Sequence, residues 1–246
     1  MKLEHIYRLL DEISPFETQE SWDNSGVNIG SMDDDVKSIV VSLDIDEQLL
    51  DSIEPNTLLI THHPIIFSSL KSLDYAKYPA NLLQKMVQKN ISNIVMHTNF
   101  DKSDLNAYVA TEILGLEIAK QDDYVIYFDV HYDFDKLLEH TQSVFSLKRL
   151  KYVKCHESIR RLALTTGAGA SMLGDIEADC YLTGDIKYHD AMAARSMNIS
   201  LIDIGHYESE CFFSTILANH LKNLGLEVII SHSQNPFSYK SLKGDQ

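Results

Sequence analysis

The chain has 246 residues, 44% of them apolar and 23% charged. That is enough to bury one large core or two small ones, and it excludes a disordered protein. Its 36 acidic against 21 basic residues give a net charge of −15, which repels phosphate backbones, and the densest basic patches, Lys148-Arg149-Leu150-Lys151 and Arg160-Arg161, are too small for a nucleic-acid footprint.

The N-terminal Met1-Lys2-Leu3-Glu4-His5-Ile6 lacks the apolar core of a signal peptide, and no run of about 18 apolar residues offers a membrane span. Leu3, Ile6, Leu9, Leu10 and Ile13 then recur at helical spacing, and Pro15 ends that helix. Ser21-Trp22-Asp23-Asn24-Ser25-Gly26 reads as a polar turn. Ile39 to Leu43, Leu58 to Thr61 and Ile94 to Met96 are short β-branched runs of buried-strand type, and Ala80 to Val87 between the last two has a helical period. Lys120-Gln121-Asp122-Asp123 is polar and marks a candidate boundary. Beyond it, Tyr124 to Phe128 predicts a strand and Phe134 to Phe145 a helix. Arg161 to Thr165, Cys180 to Thr183 and Leu201 to Ile204 predict strands, Glu208 to Leu224 a long helix stopped by Gly225, and Val228 to Ile230 a last strand. The three cysteines, Cys155, Cys180 and Cys211, are widely spaced without a CxxC pair, which fits reduced thiols in a cytoplasmic protein.

Strands alternating with helices predict an α/β fold: two related α/β units with mostly parallel sheets, residues 1–122 and 123–246, with the C-terminal helix and strand able to pack on the first unit. A short internal echo supports two related units. Leu58 to His63 resembles Cys180 to Asp185, and each is followed by a helix and then a strand. The first of those strands ends in His97-x-x-x-Asp101 and the second in His206-x-x-x-Glu210. Chance similarity is the competing explanation for so short an echo.

Three segments place histidines and carboxylates just past strand ends: Thr61-His62-His63-Pro64, Met96-His97-Thr98-Asn99-Phe100-Asp101, and Gly205-His206-Tyr207-Glu208-Ser209-Glu210. Sites in open α/β sheets form at the carboxyl ends of strands. Adjacent side chains in a strand point to opposite faces, so His62 and His63 at a strand exit could reach two neighbouring ions; a polar strand end is the plain alternative. His206 and Glu210, four residues apart, can aim at one point, and a carboxylate can bridge two cations. Against this, Glu210 and Asp101 each also suit the first turn of a helix. His97 could be a further ligand or an imidazole that orients a carboxylate, and the second role is preferred. His62, His63, Asp101, His206 and Glu210 thus form the expected ligand set. Nitrogen and oxygen donors without thiolate suit Zn, Fe, Mn, Ni or Co. Gly167-Ala168-Gly169 after a strand could cradle an anion or be a plain turn. Asp44, Asn99, Lys187 and His189 are expected pocket residues. No Gly-x-Ser-x-Gly elbow is present for a serine hydrolase.

Taken in order, Trp22-Asp23-Asn24-Ser25-Gly26, Thr61-His62-His63-Pro64, His97-Thr98-Asn99-Phe100-Asp101, Thr183-Gly184-Asp185-Ile186-Lys187-Tyr188-His189 and Gly205-His206-Tyr207-x-x-Glu210 resemble the motifs of the Nif-three-like (YbgI) family, whose members are often labelled GTP cyclohydrolase 1 type 2 homologues. The resemblance spans Trp22 to Glu210. It implies a two-domain α/β fold assembled as a toroidal hexamer, with two metal ions on His62, His63, Asp101, His206 and Glu210, and His97 close by. The chain is of the short type, without the inserted domain of some relatives. It departs from the family at Asp185, more often Glu, and at Phe100, more often Leu.

These readings lead to a dinuclear divalent-metal protein, expected to be a metal-dependent hydrolase of a small nucleotide-like substrate and a homo-oligomer. The rival is a metal-handling, regulatory or interaction protein without turnover, because the ion cage is more legible than a general acid.

Overall fold

The computed structural model describes residues 1–240. The chain folds into two compact units, Met1–Asp104 with Cys211–Ser233, and Leu105–Glu210 with residues 234–240. The first unit holds β1 (Gly26–Ile29), β2 (Ser38–Ser42), β3 (Thr57–Thr61) and β4 (Ser92–Val95). The second holds β5 (Lys120–Asp122), β6 (Val125–Asp133), β7 (Lys151–Val153), β8 (Ser158–Leu164), β9 (Cys180–Thr183) and β10 (Ser200–Asp203), and β11 (Ile229–Ile230) returns to the first sheet.

In the first unit the strand order is β1-β4-β3-β2-β11. β4, β3, β2 and β11 run parallel, and β1 closes the edge antiparallel to β4. A parallel return requires a crossover, supplied here by the helices Glu47–Ser52 and Ala80–Gln88. The side chain of Asp46 starts the first of these by accepting from Leu49 N at 2.7 Å. Leu49, Leu50, Leu82, Leu83 and Met86 of these helices pack with Val40 and Leu59 of the sheet. Helix Phe213–Asn223 packs on β2 and β11 and buries Phe213, Leu217 and Leu221. Each such side chain contributes roughly 1.5–3 kcal/mol by leaving water. The central strands are buried along nearly their whole length because both faces are covered. Parallel direction puts the carboxyl ends of β2, β3 and β4 on one edge of the sheet. Asp44, His62-His63 and His97 emerge there.

The second sheet has the order β5-β6-β8-β9-β10-β7. Only β8, β9 and β10 run parallel; β5, β6 and β7 are antiparallel to their neighbours. The expectation of mostly parallel sheets therefore holds for the first unit and is corrected for the second. The physical reason is local. β5 and β6 are joined by Asp123-Tyr124 alone, with Asp123 at φ 55°, and a two-residue connection can only return the chain antiparallel. The polar stretch Lys120 to Asp123, a boundary by composition, is this hairpin, and the units divide after Asp104 instead. Tyr127, Ala163, Tyr181 and Leu201 form the core around the parallel trio with Leu173 and Ile176.

Both sheets contain three consecutive parallel strands, β2-β3-β4 and β8-β9-β10. The two echoed segments are the middle strand of each trio and its exit. The single helix expected over Glu208 to Leu224 is two, His206–Glu210 and Phe213–Asn223, and the chain passes from one unit to the other between them. In the first of these the Ser209 hydroxyl donates to the carbonyls of Gly205 and His206 at 2.7 and 2.9 Å, which offers the backbone a local alternative to continued helix. No helix among the described residues is long and apolar enough to cross a membrane.

Candidate metal centre

In the first unit the turn after β3 carries His62 and His63, whose backbone N–H groups both donate to Leu43 O at 3.2 Å just past β2. Thr61 Oγ1 donates to His63 O at 3.1 Å and steadies the turn before Pro64. His97 comes one residue past β4, after Met96, and the short helix Thr98–Phe100 begins immediately after it. Asp101 opens a π-helical turn, Asp101–Leu105, a local widening found often at functional sites. The rings of His62, His63 and His97 lie 5.0–5.7 Å apart between centroids, and one ring nitrogen from each comes within 4.8 Å of the others. Asp101 Oδ1 is 3.4 Å from His62 Nε2. His62 is fully buried against Phe213, and the side chains of His63, His97 and Asp101 are mostly buried.

The second unit brings His206 and Glu210 together. His206 Nε2 lies 2.9 Å from Glu210 Oε2 across one helical turn, and Glu210 is 3% exposed. Its carboxylate depends on Gly167, which sits at φ +61°; a Cβ there would collide with Glu210 Oε1. The glycine pair after β8 is therefore a place for Glu210 rather than an anion cradle. Its amides are already engaged, Gly167 N donating to Ser209 Oγ at 3.0 Å and Gly169 N to Thr183 Oγ1 at 2.8 Å.

The four imidazoles share one arrangement. His62 Nδ1 donates to Met96 O at 2.9 Å. His63 Nδ1 donates to Asp44 Oδ1 at 2.7 Å, His97 Nδ1 to Asp23 Oδ1 at 2.7 Å, and His206 Nδ1 to Asp185 Oδ2 at 2.8 Å. A carbonyl or an ionised carboxylate can only accept, so the proton sits on Nδ1 and a neutral ring keeps its lone pair on Nε2. Metal-ligating histidines are oriented by oxygen acceptors in this way. The donor set of imidazole nitrogen and carboxylate oxygen fits a divalent transition ion.

Asp23 anchors the histidine turn of the first unit. Beyond His97, it accepts from Thr98 N at 3.1 Å, Thr98 Oγ1 at 2.6 Å, Ser25 Oγ at 3.0 Å and Asn24 N at 2.7 Å. Burial pushes its pKa up, but the hydrogen bonds from His97, Thr98 and Asn24, with the attraction of the His97 ring when it is protonated, outweigh this and hold it well below the usual carboxylate range.

Of the residues expected in a pocket, Asp44 orients His63. Asn99 is buried and donates to Ser14 O at 2.9 Å, which ties the turn after β4 to the end of helix Leu3–Ile13. Lys187 precedes helix Tyr188–Ser196, its N–H donating to Asp190 Oδ2 at 2.8 Å, and lines a groove of about 590 Å³ with Tyr152, Ile186 and Tyr188. His189 is exposed and meets Tyr188 edge-on. Sequence reasoning gave Asp23 no role, and Asp185 only a place in the titratable stretch Gly184 to Asp190, which could line the pocket or be a solvated loop. The signal for Asp23 was its position within the family's motifs, since its partners His97 and Thr98 lie more than 70 residues away.

A sequence model of the Duf34/NIF3 (NGG1p interacting factor 3) family matches residues 1–236. A Campylobacter jejuni protein named GTP cyclohydrolase 1 type 2 homolog is 47% identical to this chain, over 97% of the chain and 100% of that protein. A Helicobacter pylori protein named GTP cyclohydrolase 1 type 2 is 42% identical, over 95% and 97%. Among solved structures, Staphylococcus aureus hypothetical protein SA1388 superposes with a TM-score of 0.84 at 24% identity, over 98% of this chain and 99% of that one. Reduced HcgD from Methanocaldococcus jannaschii superposes at 0.79 and 24%, over 94% and 97%. At such identities the structures show the fold alone, whereas the family match and the closer relatives settle kinship: the chain belongs to the Duf34/NIF3 family.

Proposed function

We propose that this chain is a metal-dependent hydrolase of a small nucleotide-like molecule. In this reading two divalent transition ions per subunit, Zn, Fe, Mn, Ni or Co, are served jointly by His62, His63, Asp101, His206 and Glu210. The observation that carries the proposal is the shared ring orientation: Nδ1 of His62, His63 and His206 each faces an oxygen acceptor, which leaves Nε2 as the atom placed to ligate. The names of the relatives make GTP the first substrate to test.

When bound, a pair of such ions supplies Lewis acidity and acidifies water. The chain's own residues do the rest. Asp44 and Asp185 hold His63 and His206 in the ligating tautomer. Asp23 holds His97 beside His62 and His63 by accepting from its Nδ1 side, which turns Nε2 away from Asp23. Glu210, buried next to Gly167, offers the carboxylate that would bridge. Assembly as a homo-oligomer, a hexamer by resemblance, belongs to the same proposal, and closed symmetry is its usual form. Sedimentation as a single-chain species at micromolar concentration would remove that part.

The functional test is incubation of protein loaded in turn with each of the five metals with GTP and the other common nucleotides, then chromatography of the products. Ring-opened or dephosphorylated product that disappears in Glu210→Gln is the expected result. Metal held tightly with no turnover of any nucleotide would overturn the hydrolase reading in favour of metal handling.

A further inference from the structure

We infer that Trp22 and Phe67 form a stacking platform for a planar heteroaromatic ring beside the histidine cluster of the first unit. Such a platform gives the proposed hydrolase its substrate class and rests on that reading for its chemistry. Trp22 is 57% exposed and Phe67 55% exposed, although both are side chains that folding ordinarily covers. Their ring centroids are 6.0 Å apart with planes inclined at 51°. Both meet the same imidazole: Trp22 lies 6.2 Å from His97 at 77°, and Phe67 lies 6.4 Å from it at 76°. The three rings make a nearly equilateral group, and His97 is the member that also touches His62 and His63.

The pair is held in place rather than left loose. Trp22 directly precedes Asp23, whose carboxylate is fixed by His97, Thr98 and Ser25. Asn24 Nδ2 donates to Ile66 O at 2.6 Å, joining the Trp22 turn to the residue before Phe67. Two loops far apart in sequence are thus pinned so that their aromatic residues stand together. An exposed aromatic pair with a row of imidazole nitrogens at its side suits a ligand with an apolar face and a polar edge. A nucleobase or similar heterocycle is such a ligand: its face stacks on one of the two rings with the other inclined beside it, and its polar edge turns toward the histidines and the ions they would hold.

Trp22 is the chain's single tryptophan, so intrinsic tryptophan fluorescence reports on this platform alone. Titration of the metal-loaded protein with guanosine 5′-monophosphate is expected to quench it saturably, and ribose 5-phosphate, which lacks the ring, is not. Phe67→Ala should weaken the nucleotide by about 5- to 150-fold, the range for loss of one stacking partner, and Phe67→Tyr should restore it. Metal content by elemental analysis should be the same in Phe67→Ala as in wild type. Absence of saturable quenching, equal quenching by ribose 5-phosphate, or an unchanged affinity in Phe67→Ala each overturns the platform. So does a smaller assembly in sedimentation of Phe67→Ala, since the pair would then be covered by a second copy of the chain. Saturable quenching in a wild-type protein that binds no metal supports the platform while removing the hydrolase reading.

Discussion

Glu210→Gln is expected to strip most of the transition metal from a protein that otherwise carries up to two equivalents per chain. A carboxylate can share its negative charge between two cations, and the isosteric amide cannot. The substitution leaves size and burial unchanged, so the loss reads on charge rather than folding. His62→Ala and His63→Ala should each remove mainly one ion, because adjacent residues at a strand exit serve different ions. His97→Ala, and Asp44→Asn behind His63, should weaken binding by about 10- to 100-fold at most, the usual cost of losing a group that only orients a ligand. Gly167→Ala gives an independent arm. Its Cβ would collide with Glu210 Oε1, so it should displace that carboxylate and lose metal with all five ligand residues intact. Affinity should fall with falling pH in every variant, since imidazole must be deprotonated to ligate. Elemental analysis after chelator-free, anaerobic purification is the measurement. A metal content unchanged in Glu210→Gln would sink the ligand assignment.

The ligand-type residues were legible because β-strands of buried type announce themselves as apolar runs, and the polar residues just past each run then stand out. His62-His63, His97 and His206 all occupy such positions, and the structure puts each at the carboxyl end of a parallel strand. The groups that support them were not legible. Asp23 sits in a stretch of turn-forming residues, and nothing in its neighbours shows that its carboxylate meets His97 across 74 positions. Asp185 stood out only as one of several titratable residues in Gly184 to Asp190 and as a departure from the family pattern, yet it is what holds His206. Sheet direction in the second unit was hidden for a related reason. β5 and β7 are three residues each, mostly polar and exposed, so they carry no apolar run, and their antiparallel pairing comes from chain geometry rather than residue type. The helix break at Cys211-Phe212 was hidden because apolar periodicity reads through it, while just before it Ser209 bonds back to the chain.

Asp23→Asn is expected to be the most destabilising conservative change in the first unit, costing about 2–4 kcal/mol. The side chain is buried, and it accepts from five donors on four residues: the imidazole of His97, the N–H and hydroxyl of Thr98, the hydroxyl of Ser25 and the N–H of Asn24. An amide keeps one acceptor oxygen and turns its other end into a donor. With the oxygen left toward Thr98, which supplies both N–H and O–H, the amide nitrogen faces His97 Nδ1. That clash relaxes only if the His97 proton moves to Nε2, which removes the lone pair turned toward the site. Two readouts should therefore change together. Thermal unfolding should drop by roughly 5–15 °C, at about 2–4 °C per kcal/mol for a chain of this size. The 15N shifts of the metal-free protein should report the opposite tautomer for His97. Asp46→Asn is the control: Asp46 is an exposed helix cap accepting one N–H from Leu49, and asparagine caps about as well, so the change should cost about 0.5 kcal/mol or less. The pH dependence has a definite sign. The folded-state pKa of Asp23 is depressed, so its contribution is complete above the ordinary carboxylate pKa of about 4 and fades only as the pH falls below that toward the folded value. Wild type should accordingly lose its advantage over Asp23→Asn in acid while keeping it unchanged between about pH 6 and 8. A variant that melts like Asp46→Asn with an unaltered His97 tautomer would show that Asp23 neither anchors the turn nor sets the imidazole.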